Sequence, residues 1–204
     1  MIETGVELFY CNKKTTCCFT GHRSRDLPFR GDIKKRGMRC LKSMLDYFIE
    51  EAYADGYRTF ISGMADGIDL ICAEIVYGMR ESGQFPGINL VCAVPYIEQE
   101  EEISQPFSRH IYNEIIDGCD ERVVVGVKSD KERYRLRNQF MVDRSSRIIG
   151  AYRFKKRGSG TLQTINMAKR GGLELKIIDM DKNPVIYSDD ENPVNLNLFD
   201  IVTV

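Results

Sequence analysis

The nineteen residues RTFISGMADGIDLICAEIV, positions 58–76, hold a short apolar run of strand character, two glycines four positions apart, two aspartates and a second apolar run of helical length. The first run ends at Ser62, the turn carries Gly63, Asp66, Gly67 and Asp69, and the helix-like part follows without a linker. A strand leading directly into a helix is half of a βαβ unit, and such a unit requires the same alternation in the neighbouring sequence.

That alternation runs through the chain. Strand-like runs occur at 15–20, 57–62, 88–94, 121–127, 147–152 and 174–179, and segments of helical spacing lie between them. The clearest helix, within 32–53, repeats Met38, Leu41, Leu45, Phe48, Ile49 and Ala52 at three- and four-residue steps, which makes one apolar face. Segments 67–80, 107–117, 131–146 and 160–170 read similarly. Short, fully apolar strands separated by helices predict a doubly wound α/β fold: a mostly parallel sheet with helices on both faces, Rossmann-like in layout. The expected organisation is one nucleotide-binding domain over 1–180 and an extended C-terminal arm over 181–204. The arm carries two Asn-Pro steps and an acidic run, and packs on the sheet edge or joins a partner chain as a homo-oligomer.

Composition sets the outer limits. At 204 residues, with 43% hydrophobic and 29% charged residues and a net charge of -1, the chain suits one compact soluble core. No apolar run nears the roughly 20 residues that span a bilayer, and the acidic start MIETGVELFYCNKK does not read as a signal peptide. A cytoplasmic protein without a membrane partner is expected. The seven cysteines are an odd number and mostly sit in apolar runs, as reduced core thiols do. No C-x-x-C pair is present and the only histidines are His22 and His110, so neither a metal nor a cofactor is expected. Charge is uneven: 128–157 holds eleven Lys or Arg against three acids, and 98–121 holds eight acids against one arginine. Overall neutrality makes nucleic acid a possible but unfavoured partner, because duplex binders rely on many phosphate contacts.

In open α/β sheets ligands bind where loops leave the carboxyl ends of strands. Gly21, His22 and Arg23 follow the first strand, and Ser62, Gly63, Asp66, Gly67 and Asp69 follow the second. Pro95 and Tyr96 follow the third, and Gly158, Ser159, Gly160 and Thr161 lead from the fifth into a helix. The glycines of both turns let a ligand approach the backbone, and the helix starts behind them offer N–H groups and a positive dipole end to an anion, most naturally phosphate. Ser159 and Thr161 supply hydroxyl donors or a helix cap. Asp66 and Asp69 read either as acceptors for ribose hydroxyls or as helix caps. His22 is a phosphate donor or general acid, or else a loop histidine bonded to backbone. Tyr96 either stacks on a base or plugs the interior. Arg137 and Asn138, on the helix holding RNQFMVDRS, are either further ligand contacts or merely solvated residues of a helix whose Met141 and Val142 face the core.

Taken together, TGHR, SGMADGIDLICAE, VPY, RNQFMVDRS and GSGT resemble the YpsA-like branch of the SLOG superfamily over about residues 15–180, in the same order and spacing. That superfamily also contains the DNA-processing protein A family and the LONELY GUY phosphoribohydrolases. The resemblance implies a Rossmann-like domain that senses or processes nucleotide-derived ligands such as ADP-ribose-like molecules. It also implies ligand-facing roles for the residues named after the strands. The phosphoribohydrolase pattern Pro-Gly-Gly-x-Gly-Thr-x-x-Glu is not kept: Lys156 and Arg157 stand at its proline and first glycine, and Thr164 at its catalytic glutamate. An oxocarbenium-like transition state at ribose needs a nearby carboxylate, which leaves Asp69 and Glu74 as candidate catalytic groups. The expected function is therefore a phosphate-bearing nucleotide sensor or regulator. An N-glycosidic-bond enzyme and a single-stranded nucleic-acid binder are the alternatives.

Overall fold

The structure is a computed structural model and describes residues 10–155, 159–189 and 203. Among the described residues there are six strands: β1 (Thr16–Gly21), β2 (Thr59–Ser62), β3 (Asn89–Val94), β4 (Glu121–Val124), β5 (Arg147–Tyr152) and β6 (Glu174–Asp179). They form one sheet in the order β4-β3-β2-β1-β5-β6, and every neighbouring pair is parallel. The α-helices among the described residues connect them: α1 (Arg36–Ala54), α2 (Ile68–Glu81), α3 (Pro106–Gly118), α4 (Arg133–Asp143) and α5 (Gly160–Arg170). The strand and helix runs of the sequence are thus all present, with bounds moved by a few residues at most ends. This is the doubly wound, Rossmann-like α/β fold.

Alternation along the strands splits the interior into two apolar layers. Cys17 and Phe19 of β1, Phe60 of β2 and Ile149 of β5 join the core under α1 and α2, with Leu41, Leu45, Ile49, Ile68 and Val76. Cys18, Ile61 and Ile148, one residue away on the same strands, join the other layer with Phe140 of α4 and Ile165 of α5. A strand period of two therefore serves both faces, which is why these strands read as unbroken apolar runs. All seven cysteines are free thiols, and Cys17, Cys18, Cys40, Cys72 and Cys92 are buried. Among the described residues no helix is long and apolar enough to cross a membrane, and no group of three or more His, Cys, Asp or Glu is placed to hold a metal ion.

The first part of the C-terminal arm lies on the domain itself. A 3-10 turn at Pro184–Tyr187 buries Ile186 beside α1, and Lys35 pairs with Asp189 at 2.6 Å. Thr203 makes an antiparallel bridge with Ile178 of β6.

Candidate functional site

The sheet order places β1 between β2 and β5, so the chain leaves β1 toward one side and later returns to its other side. The loops above the two strands separate there and leave a crevice, the position where doubly wound sheets take ligands. Here it is a cleft of about 490 Å³ lined by the loop after β1, the start of α5, one face of α4 and Asp69 of α2.

The loop after β1 is fixed on three sides. His22 is buried, its ring lies 4.9 Å from that of Tyr152 in a stacked arrangement, and its Nε2 accepts a hydrogen bond from the Arg153 N–H at 3.0 Å. An Nε2 that accepts is unprotonated, so this nitrogen holds β5's exit and is not a proton donor toward the cleft. The His22 carbonyl accepts from the N–H of Ile68, the first residue of α2, at 3.1 Å. The Thr161 hydroxyl donates to the Gly21 carbonyl at 2.8 Å and binds the loop to α5.

The SGMADGID turn does a different job from the one its glycines suggest. A Cβ on Gly63 would lie 1.2 Å from Nη1 of Arg137 and 2.7 Å from Oδ2 of Asp69. Gly67 has φ +107, and a Cβ there would lie 2.2 Å from the His22 carbonyl oxygen. The glycines thus admit protein: one seats the Arg137 guanidinium, the other the β1 loop. The start of α2, read from sequence as an anion seat, is already occupied, because the His22 carbonyl takes its first N–H. Ser62 is equally committed, its hydroxyl donating to the Asp69 carbonyl at 2.8 Å and accepting from the Met64 N–H at 3.1 Å. Ser62, Gly63 and Gly67 accordingly do not line the cleft.

Asp69 and Arg137 form the buried floor. Oδ2 of Asp69 accepts from Nη1 of Arg137 at 2.9 Å, and the side chains of Arg137 and Asp69 are 5% and 7% exposed. Burial pushes the Asp69 carboxyl up, against the opposing charges of Arg137 and Arg23. Burial likewise pulls the Arg137 guanidinium down against the attraction of Asp69. Each charge is tolerated because of the other. Oδ2 of Asp69 is held by Arg137 while Asp69 itself lines the cleft, and Arg137 still holds a buried Nε–H with no acceptor among the described residues.

The start of α5 forms the opposite wall. Ser159 caps the helix by accepting from the Leu162 N–H at 3.2 Å, and Thr164 donates to the Gly160 carbonyl at 2.9 Å. Gly160 lines the cleft, and a Cβ there would meet nothing within 4 Å. Together with Arg23, Arg137 and Asn138, these groups surround an opening at a helix N-terminus, a setting that favours a negatively charged ligand group. Gly158 lies outside the described residues.

Of the sequence candidates, the cleft brings together Gly21, His22, Arg23, Asp69, Arg137, Asn138, Ser159, Gly160 and Thr161. Asp66 lies on a neighbouring basin, where it accepts from the Ser24 hydroxyl at 2.6 Å. Glu74 is removed as a catalytic candidate for this cleft: it pairs with Lys42 at 2.8 Å and lines grooves beside α2. Pro95 and Tyr96 are also outside it. Tyr96 is buried, donates its hydroxyl to Glu102 and meets Tyr134 edge-on at 6.5 Å between ring centroids. Thr20, Arg25 and Ala65 also line the cleft, and the sequence reading missed Asp26, Tyr134 and Thr164 there. Tyr134 had a usable signal, since Tyr134, Arg137 and Asn138 fall at i, i+3 and i+4 on one helix face.

Glu102 accepts from both Tyr96 and Tyr134. Burial by itself would raise its carboxyl, but these hydrogen bonds and the charges of Arg23 and Arg133 bring it below its ordinary 4.5. A carboxyl lowered on folding contributes stability at higher pH and loses it as pH falls through the lowered value. The stability difference between the wild type and Glu102→Gln is therefore expected to be full at pH 7, to shrink once pH falls toward 4.5 and to be lost only below the lowered folded value, read from urea midpoints at successive pH values.

Comparison with known proteins yields consistent findings. The profile of a family described as the YspA SLOG family matches residues 17–183. A UPF0398 protein of Bacillus cereus (strain B4264) is 27% identical over 158 residues, which cover 76% of this chain and 83% of that protein. A UPF0398 protein of Bacillus thuringiensis (strain Al Hakam) is 26% identical over the same length and shares of coverage. Among solved structures, DNA processing protein A from Helicobacter pylori, studied for its single-stranded DNA binding mode, superposes with a TM-score of 0.51 at 18% identity. The superposition covers 79% of this chain and spans 64% of that protein, and it bears on the fold alone.

Proposed function

The chain belongs to the YspA SLOG family, and we propose that it is a nucleotide-binding protein whose cleft between β1 and β5 takes a nucleotide or an ADP-ribose-like derivative as a sensor or regulatory ligand. The observation that carries this reading is the convergence of the α5 start, Arg23, Arg137 and Asn138 on one opening at the switch point of the sheet. A phosphate group fits that opening because helix N–H groups, a dipole end and two guanidinium groups all favour negative charge there. The two arginines supply more than neutral donors could, since a charged partner strengthens a hydrogen bond.

Binding is preferred to N-glycosidic chemistry on the state of the carboxylates. Asp69 is held by Arg137, and Thr164 stands with a hydroxyl bonded to backbone where the related hydrolases have a glutamate. Asp26 also lines the cleft and lies 3.8 Å from Arg25. Release of free base from nucleoside monophosphates, absent in an Asp26→Asn variant, would favour the enzymatic reading over this one.

At 100 times its dissociation constant a ligand that binds only the folded chain adds about 2.7 kcal/mol of stability. For a chain of this size that raises the melting temperature by roughly 5–10 °C. The expected result is such a rise with at least one member of a panel of mono- and dinucleotides that includes ADP-ribose. If no member gives a rise, and short single-stranded oligonucleotides bind with affinity falling steeply with salt, the nucleic-acid alternative replaces this proposal.

A further inference from the structure

A second basin of about 550 Å³ adjoins the cleft, and Arg23, Arg25 and Tyr134 line both. Its own residues include Arg30, Ser104 and Gln105, together with the carboxylates of Asp66 and Glu102. Three guanidinium groups thus face two carboxylates, and both carboxylates already accept hydrogen bonds from the protein: Asp66 from Ser24, Glu102 from Tyr96 and Tyr134.

The arginines are less committed. Arg23 approaches Glu102 only at 3.9 Å, with its guanidinium carbon 5.8 Å from the centroid of the Tyr134 ring. The Arg25 side chain is 84% exposed and approaches Asp26 only at 3.8 Å. Arg30 is reached through a loop in which Phe29 and Arg30, neither of them glycine, have φ 52 and 54. A left-handed backbone at two successive ordinary residues is held against its own preference by the surrounding structure, and such strain gathers where a side chain must be presented.

We propose that this basin is a second anion subsite, so that the ligand of this protein is a small molecule with two separated phosphate groups, of the nucleoside bisphosphate class. One phosphate sits at the start of α5 beside Arg137 and the other among Arg23, Arg25 and Arg30, with the nucleoside between them against Tyr134. This rests on the nucleotide reading of the cleft and specifies its ligand. Arg23 stands at the junction and serves both groups. Ser104 and Gln105 add neutral donors that fix the second phosphate's position, while the guanidinium groups supply its charge.

The test titrates the full chain with ribonucleoside 3′,5′-bisphosphates and the matching 5′-monophosphates by calorimetry, in the wild type, Arg30→Gln and Gly160→Val. In the wild type the bisphosphate of the preferred base is expected to bind roughly tenfold or more tightly than its monophosphate. Arg30 touches only the basin, so Arg30→Gln is expected to remove that gain and leave the monophosphate's affinity within threefold. Gly160→Val is expected to weaken both. A monophosphate that binds and is lost in Gly160→Val, combined with no gain from the second phosphate or a gain that survives Arg30→Gln, overturns the second subsite and leaves the cleft reading intact. No binding of any nucleotide to the wild type, or binding unaffected by Gly160→Val, overturns both. Equal melting temperatures of wild type and Arg30→Gln show that the comparison is between folded proteins.

Discussion

Gly63→Ala is expected to destabilise the protein by about 3–5 kcal/mol, the cost of breaking a buried ion pair from one side. A single methyl group does this because its carbon would lie 1.2 Å from Nη1 of Arg137, a separation that no small backbone adjustment removes. The guanidinium must leave, and Asp69 then stays buried without its hydrogen-bonded partner, with only the charge of Arg23 still opposing its burial. For a chain of 204 residues the loss corresponds to a fall in melting temperature of roughly 6–20 °C. A steric explanation and an electrostatic one separate in a double mutant. If the damage lies in the displaced Arg137, Gly63→Ala costs much less in an Arg137→Met background than in the wild type, because contacting sites are not additive. Equal costs in both backgrounds would place the damage in the backbone of the turn.

The same geometry explains why Gly63 and Gly67, which look alike in sequence, act alike in a way the sequence hides. A Gly-x-x-x-Gly turn before a helix is shared by ligand loops and by turns that admit neighbouring protein, and only the partner distinguishes them. Here the partner of Gly63 is a side chain on α4, bonded to Asp69 across 68 positions of sequence, and the partner of Gly67 is the backbone of His22. No local pattern reports a contact of that range. The alternation of strands and helices, by contrast, was legible throughout because burial on both sheet faces leaves continuous apolar runs. The start of α5 was legible as well: Ser159 before Gly160 and Thr161 is an N-cap signal, and Ser159 is the cap. In sequence Tyr96 reads either as a stacking residue or as a plug. The structure makes it a buried partner of Glu102, outside the cleft. Tyr134 takes the wall position instead, three residues before Arg137 on the same helix face.

The second large effect concerns Gly160, which is the opposite case to Gly63. A side chain there meets nothing within 4 Å, and Gly160 lines the cleft, so Gly160→Val adds bulk to the opening without touching the core. The valine stands at the first position of α5, where the folded protein loses no hydrogen bond and glycine had no helix-forming advantage to forfeit. The melting temperature of the free protein is therefore expected to stay within about 2 °C of wild type, since the change is a surface one. The ligand, however, loses the space in which its phosphate meets the helix start, and affinity is expected to fall about 100-fold or more, equivalent to about 2.7 kcal/mol of binding free energy.

Calorimetric titration of wild type and Gly160→Val with the nucleotide that most raises the wild-type melting temperature decides whether the ligand sits at the start of α5. The account predicts saturable binding to the wild type, at one ligand per chain, and binding at least 100-fold weaker to a variant of unchanged stability. Equal affinity in the two proteins would contradict it, because the ligand would then sit elsewhere than at the junction of β1, β5 and α5.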